Sequence, residues 1–158
     1  QMGLIDKVPE MVSVENYGPI YHSLEKNLDY IPEVATWDSC AASMSANKGA
    51  YQSIKAIKGS NGKAVLINSD EPIMQAQKDI AKIEGLYCEP ASASCLAAVR
   101  QLLVDKKMKE NESVVMILTS SGVKDTINTA RFLPEVPYIS AKMSELSKAL
   151  KNSYGISL

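Results

Sequence analysis

The apolar residues of the chain follow two periods that alternate along its length. Met11-Val12-Ser13-Val14-Glu15 switches between apolar and polar at every second residue, as a half-buried strand does. Ala64-Val65-Leu66-Ile67, Leu86-Tyr87-Cys88 and Val114-Val115-Met116-Ile117-Leu118 are compact apolar runs of strand length. Between these runs the apolar positions return every three or four residues. Ile20, Tyr21 and Leu24 predict a helix reaching about residue 28. Ala50, Tyr51, Ile54 and Ile57 predict one over 48–58. Ile73, Ala76, Ile80 and Ile83 predict another, ending near Gly85. Leu96, Val99, Leu102 and Leu103 mark the buried face of a fourth, and Met143, Leu146 and Leu150 that of a last helix over about 140–150. Strands that alternate with helices predict an α/β fold: an open, mainly parallel sheet with helices on both faces.

Turn chemistry sets the boundaries. Gly3 is a candidate helix C-cap, and Pro9 closes the turn after it. Gly59-Ser60-Asn61-Gly62 either closes one helix before the next strand or forms a phosphate nest. Ser69 is the expected N-cap of the helix carrying Asp70 and Glu71 in its first turn. Ser92 or Ser94 is the expected start of the following helix. Residues 29–47 have no clear period and read either as a loop lining a pocket or as a plain connector. Residues 126–137, with Pro134 and Pro137, read as irregular. The whole chain, 1–158, reads as one α/β domain, with 127–158 as an irregular segment and a terminal helix.

Composition narrows the classes. With 158 residues and 46% hydrophobic content, the chain can bury a core. Seventeen basic and 18 acidic residues leave a net charge of −1, so no electrostatic footprint for nucleic acid or an anionic membrane is expected. No apolar run approaches the roughly 20 residues that span a bilayer. Three cysteines, Cys40, Cys88 and Cys95, without a C-x-x-C pair and with a single histidine, predict neither a disulfide framework nor a metal site. A reducing, cytoplasmic compartment is the expectation. His22 lies on an amphipathic helix and reads as structural.

The residues offer no nucleophile–base set. Ser121-Gly122 lacks the glycine of a nucleophile elbow, and the eight glycines are scattered rather than gathered in a phosphate loop. What stands out is a pair of hydroxyl-rich strand ends. Glu89-Pro90-Ala91-Ser92-Ala93-Ser94 follows one strand, and Thr119-Ser120-Ser121-Gly122 follows a strand expected to be central. Open sheets bind ligands at the carboxyl ends of such strands. Thr119 there either hydrogen-bonds a ligand or caps the next turn.

The run EGLYCEPASAS, a helix, then VVMILTSSGVKD resembles the threonine synthase family. GLIDKVPEM at 3–11 and Ser69-Asp70-Glu71 leading to Gln75-Ala76-Gln77 are similar to it as well, so the likeness spans 2–126. That family has the tryptophan synthase β-like fold, part of the fold-type II group, and uses pyridoxal 5'-phosphate. The resemblance implies that Thr119 meets the pyridine nitrogen of the cofactor and that Glu89, Ala91 and Ser92 lie beside its ring. It implies a lyase that converts the small-molecule substrate O-phospho-homoserine, with water, to threonine and phosphate. It also implies that the Schiff-base lysine and the phosphate-binding loop belong to upstream polypeptide. This chain would then be a carboxyl-terminal segment, inactive alone, whose partner is the amino-terminal half of the same enzyme. An exposed sheet edge or apolar face is expected where that half docks, a surface that a homodimer could also cover. Lys124, although followed by an aspartate, belongs to the Gly-Val-Lys-Asp turn and reads as no cofactor anchor. Ser120 stands where the family carries glycine, and Trp37 to Ser43 departs from its substrate loop. Relatives of the same fold, cysteate synthase or threonine dehydratase, and a non-catalytic ligand- or partner-binding module are the alternatives.

Overall fold

The computed structural model describes residues 5–158; the expected C-cap at Gly3 lies outside the described residues. Two strands, β1 (Val12–Glu15) and β2 (Lys63–Leu66), pair in parallel with Val14 beside Val65. The pairing brings together segments about fifty residues apart, and three helices stand between or just after them in the chain. These are α1 (Pro19–Glu25), α2 (Tyr51–Gly59) and α3 (Glu71–Glu84). The long α4 (Pro90–Val104) follows, then the short α5 (Thr126–Arg131) and α6 (Met143–Tyr154).

The period-2 pattern of the strands divides the two faces. Val65 and Ile67 are buried in the main core, and Val12 and Val14 pack against it from the same side. Leu66, on the opposite side, approaches the start of α1 at Gly18. α1 contacts both strands from one direction and α4 from the other, so the sheet is covered as expected for the fold class.

The core differs from the expected one in a specific way. Leu96, Val99 and Leu103 were the expected buried positions of α4, with Leu102. The structure buries Ala93, Ala97 and Ala98 beside Leu102, leaving Leu96, Val99 and Leu103 only partly covered. These alanines face α3, whose Ala76 and Ile73 are fully buried. Small side chains let two helix backbones approach closely, and large residues then settle at the margins of the contact.

Several boundaries shift for local reasons. Asp70, not Ser69, is the N-cap position of α3, and its carboxylate makes no cap bond. α4 starts at Pro90, earlier than Ser92, because proline is preorganised for a first helical turn. Residues 126–131 are helical rather than irregular. The Asp125 carboxylate accepts from the Asn128 amide and supplies the cap that proline content hid.

The largest correction concerns the two remaining strands. Residues 86–88 contribute one antiparallel bridge, Cys88 to Ser121. Residues 112–119 belong to no helix or ladder, with Val115 89% and Ile117 67% exposed. Their sequence has strand character, yet a strand is stable only with a neighbour to take its N–H and C=O groups. Among the described residues, none takes that place.

The Gly59–Gly62 turn is closed rather than nest-like. A Cβ at Gly62 would lie 2.0 Å from the Met11 carbonyl oxygen, and the Ser60 hydroxyl accepts from the Met11 amide. The turn is filled by the chain entering β1, which leaves no room for an anion.

Candidate functional site

The site begins with how the end of β1 is fastened. The Glu15 carboxylate accepts from the amides of Ile20 (3.1 Å) and Tyr21 (2.8 Å), which ties the strand to α1. Burial raises the Glu15 pKa, and these two amide bonds oppose the rise. Trp37 Nε1 donates to the Asn16 carbonyl at 3.0 Å, and the Tyr17 hydroxyl donates to the Trp37 carbonyl at 2.6 Å. The segment 37–44 is therefore anchored at the carboxyl end of β1. Asp70 fastens it a second time, accepting from the Ser39 hydroxyl at 2.7 Å and the Cys40 amide at 2.9 Å. This is why the Asp70 carboxylate does not cap its own helix.

That double anchoring delivers a 3₁₀ turn, Ala42–Met44, to the start of α4. There the Ser43 hydroxyl donates to Glu89 Oε2 at 3.2 Å. Glu89 is only 4% exposed, so its charge needs partners. Lys124 supplies one, with Nζ 2.8 Å from Oε2, and the Thr119 hydroxyl donates to Oε1 at 3.3 Å. The bond from Lys124 holds the Glu89 carboxyl below the usual carboxylate range. Burial opposes that shift, and Ser43 and Thr119 add to it. Ser92, one turn into α4 and almost fully buried, accepts from the amides of Thr119 at 2.9 Å and Ser120 at 3.3 Å. Its oxygen lies 3.0 Å from Thr119 Oγ1.

Three of the expected site residues, Thr119, Glu89 and Ser92, thus form one hydrogen-bonded group. Ala91 and Glu89 line a cavity of about 200 Å³ together with Cys40, Ala42, Ser43, Pro90, Lys124 and Asp125. Thr119 and Ser92 do not line this cavity and reach it through Glu89. Thr119 does not cap the next turn, whose N-cap is Ser121; it is held at Ser92 and keeps an exposed position beside a buried carboxylate. Of the two readings of residues 29–47, the pocket-lining one holds for Cys40, Ala42 and Ser43.

Lys124, set aside above as a cofactor anchor, and Ser43 were not expected beside Glu89. Lys124 was visible as a cation two residues after a glycine. That Gly122 is the signal, because a Cβ there would fall 2.5 Å from the Tyr87 ring. The close approach swings the turn inward and carries Lys124 toward Glu89. Ser43 had no signal, since its position depends on Trp37 and Asp70 contacts that no period records.

A larger cavity, about 370 Å³, lies between α3 and α5, lined by Met74, Tyr87, Phe132 and Leu133 among others. None of its lining residues belongs to the hydroxyl and carboxylate group. Burial pushes the thiols of Cys88 and Cys95 up, and burial with Asp70 pushes Cys40 further. All three therefore stay protonated at neutral pH and none is a ready nucleophile. No group of three or more His, Cys, Asp or Glu is placed to hold a metal among the described residues. No helix of the described residues is long and apolar enough to cross a membrane.

The family of pyridoxal-phosphate dependent enzymes matches residues 4–120, which include Glu89, Ala91, Ser92 and Thr119. The chain is 34% identical over 153 residues to the threonine synthase of Methanocaldococcus jannaschii, a match covering 94% of this chain. It is 28% identical, with the same coverage, to the threonine synthase of Methanosarcina acetivorans, and 29% identical over 145 residues to that of Mycobacterium bovis. The chain spans 38% of the length of the two archaeal relatives and 36% of the mycobacterial one. With three quarters of its length matched and the matched part holding its buried carboxylate and hydroxyl group, the chain belongs to the pyridoxal-phosphate dependent enzymes.

Proposed function

We propose that this chain is the carboxyl-terminal segment of a threonine synthase-like lyase acting on O-phospho-homoserine, and that it forms one wall of the cofactor site. The observation that carries the reading is the hydrogen-bonded group of Ser92, Thr119 and Glu89 beside a cavity edge. The residues fit one side of pyridoxal 5'-phosphate. A neutral hydroxyl at Thr119 suits a heteroaromatic nitrogen, and Ala91 leaves room for a flat ring. They do not supply the phosphate side, because no glycine-rich loop occurs in the sequence. The 200 Å³ cavity is also below the roughly 300 Å³ at which small-molecule sites begin. Both facts agree with a site that further polypeptide completes.

When bound, the cofactor supplies an electron sink for the substrate. The residues of this chain do the rest of what can be derived. Thr119 would offer the ring nitrogen a hydroxyl that carries no charge. Ser92 holds the Thr119 and Ser120 backbone so that the hydroxyl keeps its place. Pro90 and Ala91 exclude water from one edge of the cavity. The relatives are named threonine synthase and the match covers nearly the whole chain, which supports the substrate assignment over other reactions of the family.

The test is an assay of the full-length protein on O-phospho-homoserine beside serine and threonine. Release of phosphate with formation of threonine is expected, and Thr119→Val should lower kcat/KM by about tenfold or more through loss of one hydrogen bond to a buried partner. Turnover of serine or threonine in preference to O-phospho-homoserine would refute the substrate assignment.

A further inference from the structure

We propose that Lys124 is a positioning residue: by pairing with Glu89 it keeps ionised the carboxylate that ends a hydrogen-bond chain running from Ser92 through Thr119 to Glu89. The inference rests on the cofactor-wall reading only for its functional meaning, and its geometry stands independently.

The chain direction follows from counting hydrogens. A serine hydroxyl has one hydrogen and two lone pairs. Ser92 Oγ accepts from two backbone amides, those of Thr119 at 2.9 Å and Ser120 at 3.3 Å. Its lone pairs are thereby used, and its own hydrogen is left to donate. The acceptor within reach is Thr119 Oγ1 at 3.0 Å. Thr119 accepts there and in turn donates its hydrogen to Glu89 Oε1 at 3.3 Å. An ionised Glu89 offers Oε1 only as an acceptor, whereas a protonated one carries a hydrogen that can sit on Oε1 and oppose that donation. Its other oxygen, Oε2, is held by Lys124 Nζ at 2.8 Å and by the Ser43 hydroxyl at 3.2 Å. Lys124 Nζ also lies 3.5 Å from Ser43 Oγ, so the cation touches both members of the pair it organises.

The charged and titratable groups facing Glu89 are few. Lys124 comes from the Gly122–Asp125 turn, Asp125 and Cys40 stand on the same cavity wall, and Cys88 precedes it in the chain. Lys124 is the one cation of this set. A carboxylate that is 4% exposed would otherwise favour its neutral form, and a protonated Glu89 would compete with Thr119 as a donor. With Lys124 in place, the Thr119 hydrogen is committed to Glu89, and an incoming acceptor obtains it only in competition with an ionised carboxylate. Lys124 therefore sets the cost of that exchange without touching the acceptor.

The test follows the titration of Glu89 and of the Thr119 amide in one sample. The full-length protein, labelled with ¹³C-glutamate and ¹⁵N-threonine, is titrated by nuclear magnetic resonance as wild type, Lys124→Met and Lys124→Arg. Lys124→Gln serves as a second neutral variant in case methionine disturbs this half-exposed position. In the wild type the Thr119 amide should shift with the same midpoint as the Glu89 carboxyl. In the neutral variants both midpoints should rise together by about one pH unit, the low end of the range for loss of an opposite charge at contact. Lys124→Arg should retain the wild-type midpoint. The proposal is overturned by an unchanged Glu89 midpoint in the neutral variants, by a Thr119 amide that ignores Glu89, or by a rise in Lys124→Arg equal to that in Lys124→Met. Adding pyridoxal 5'-phosphate to the same samples separates the two claims. Absence of binding sinks the cofactor reading and leaves the Lys124 result to stand or fall by the titration.

Discussion

Two apolar-rich stretches of this chain have opposite fates. The α3–α4 layer buries Ile73, Ala76, Ala93, Ala97 and Leu102 and satisfies its polar groups internally, as when Gln77 donates to the Cys88 carbonyl and accepts from the Thr129 hydroxyl. The run Val114 to Ile117 has strand composition but stands exposed and unpaired among the described residues. The first stretch finds its complement within 158 residues. The second finds none among the described residues, and Thr119 lies at its end. The site is therefore built half on a self-sufficient layer, through Glu89 and Ser92, and half on a segment whose support is not found in the described residues.

That contrast can be broken at its firmest point first. Ile73→Ala removes a side chain with no exposed surface and should cost about 3 kcal/mol, within the range for large-to-small core changes, read by urea unfolding. A loss below 1 kcal/mol would show the layer to be loosely packed. Ser92→Ala removes the acceptor of two amides and a bond to Thr119, and should cost about 2 kcal/mol. Its amide resonances at 119 and 120 should move while those of α3 stay.

A third change uses pH. The Glu89 pKa is lowered from 4.5 in the folded state, chiefly by Lys124. The stability it contributes is thus complete above that value and is lost as pH falls through the lower folded value. The stability difference between wild type and Glu89→Gln should be constant near neutral pH and shrink below about 4.5. A difference that grows on acidification would contradict the ion pair. The smallest effect is expected from Ile117→Thr, which changes an exposed residue and should alter the stability of the 158-residue chain by less than about 0.5 kcal/mol. The same substitution should be costly in the full-length protein if the run is paired there, and equal small effects in both would remove the contrast.

The sequence made the alternation of strands and helices legible because each element carries its own period. Two compact hydroxyl-rich motifs were legible, and the structure joins Thr119 of one to Glu89 and Ser92 of the other by hydrogen bonds. The sequence did not reveal the alanine-lined α3–α4 contact, since a stripe of large residues is easier to see than small ones that bury completely. It did not reveal Lys124 or Ser43, whose placement depends on Gly122 against Tyr87 and on Trp37 and Asp70 holding a loop. The expected strand at 114–118 failed for the opposite reason. Its local preference is clear, but a strand is defined by a neighbour.

The most direct measurement is an absorption titration with pyridoxal 5'-phosphate of the 158-residue chain beside the full-length protein. A stable protein-bound cofactor spectrum in the full-length protein, with the free cofactor spectrum unchanged by the chain alone, is the predicted result. A stable covalent cofactor spectrum from the 158-residue chain by itself would contradict the claim that its hydroxyl and carboxylate group is one wall of a site completed elsewhere.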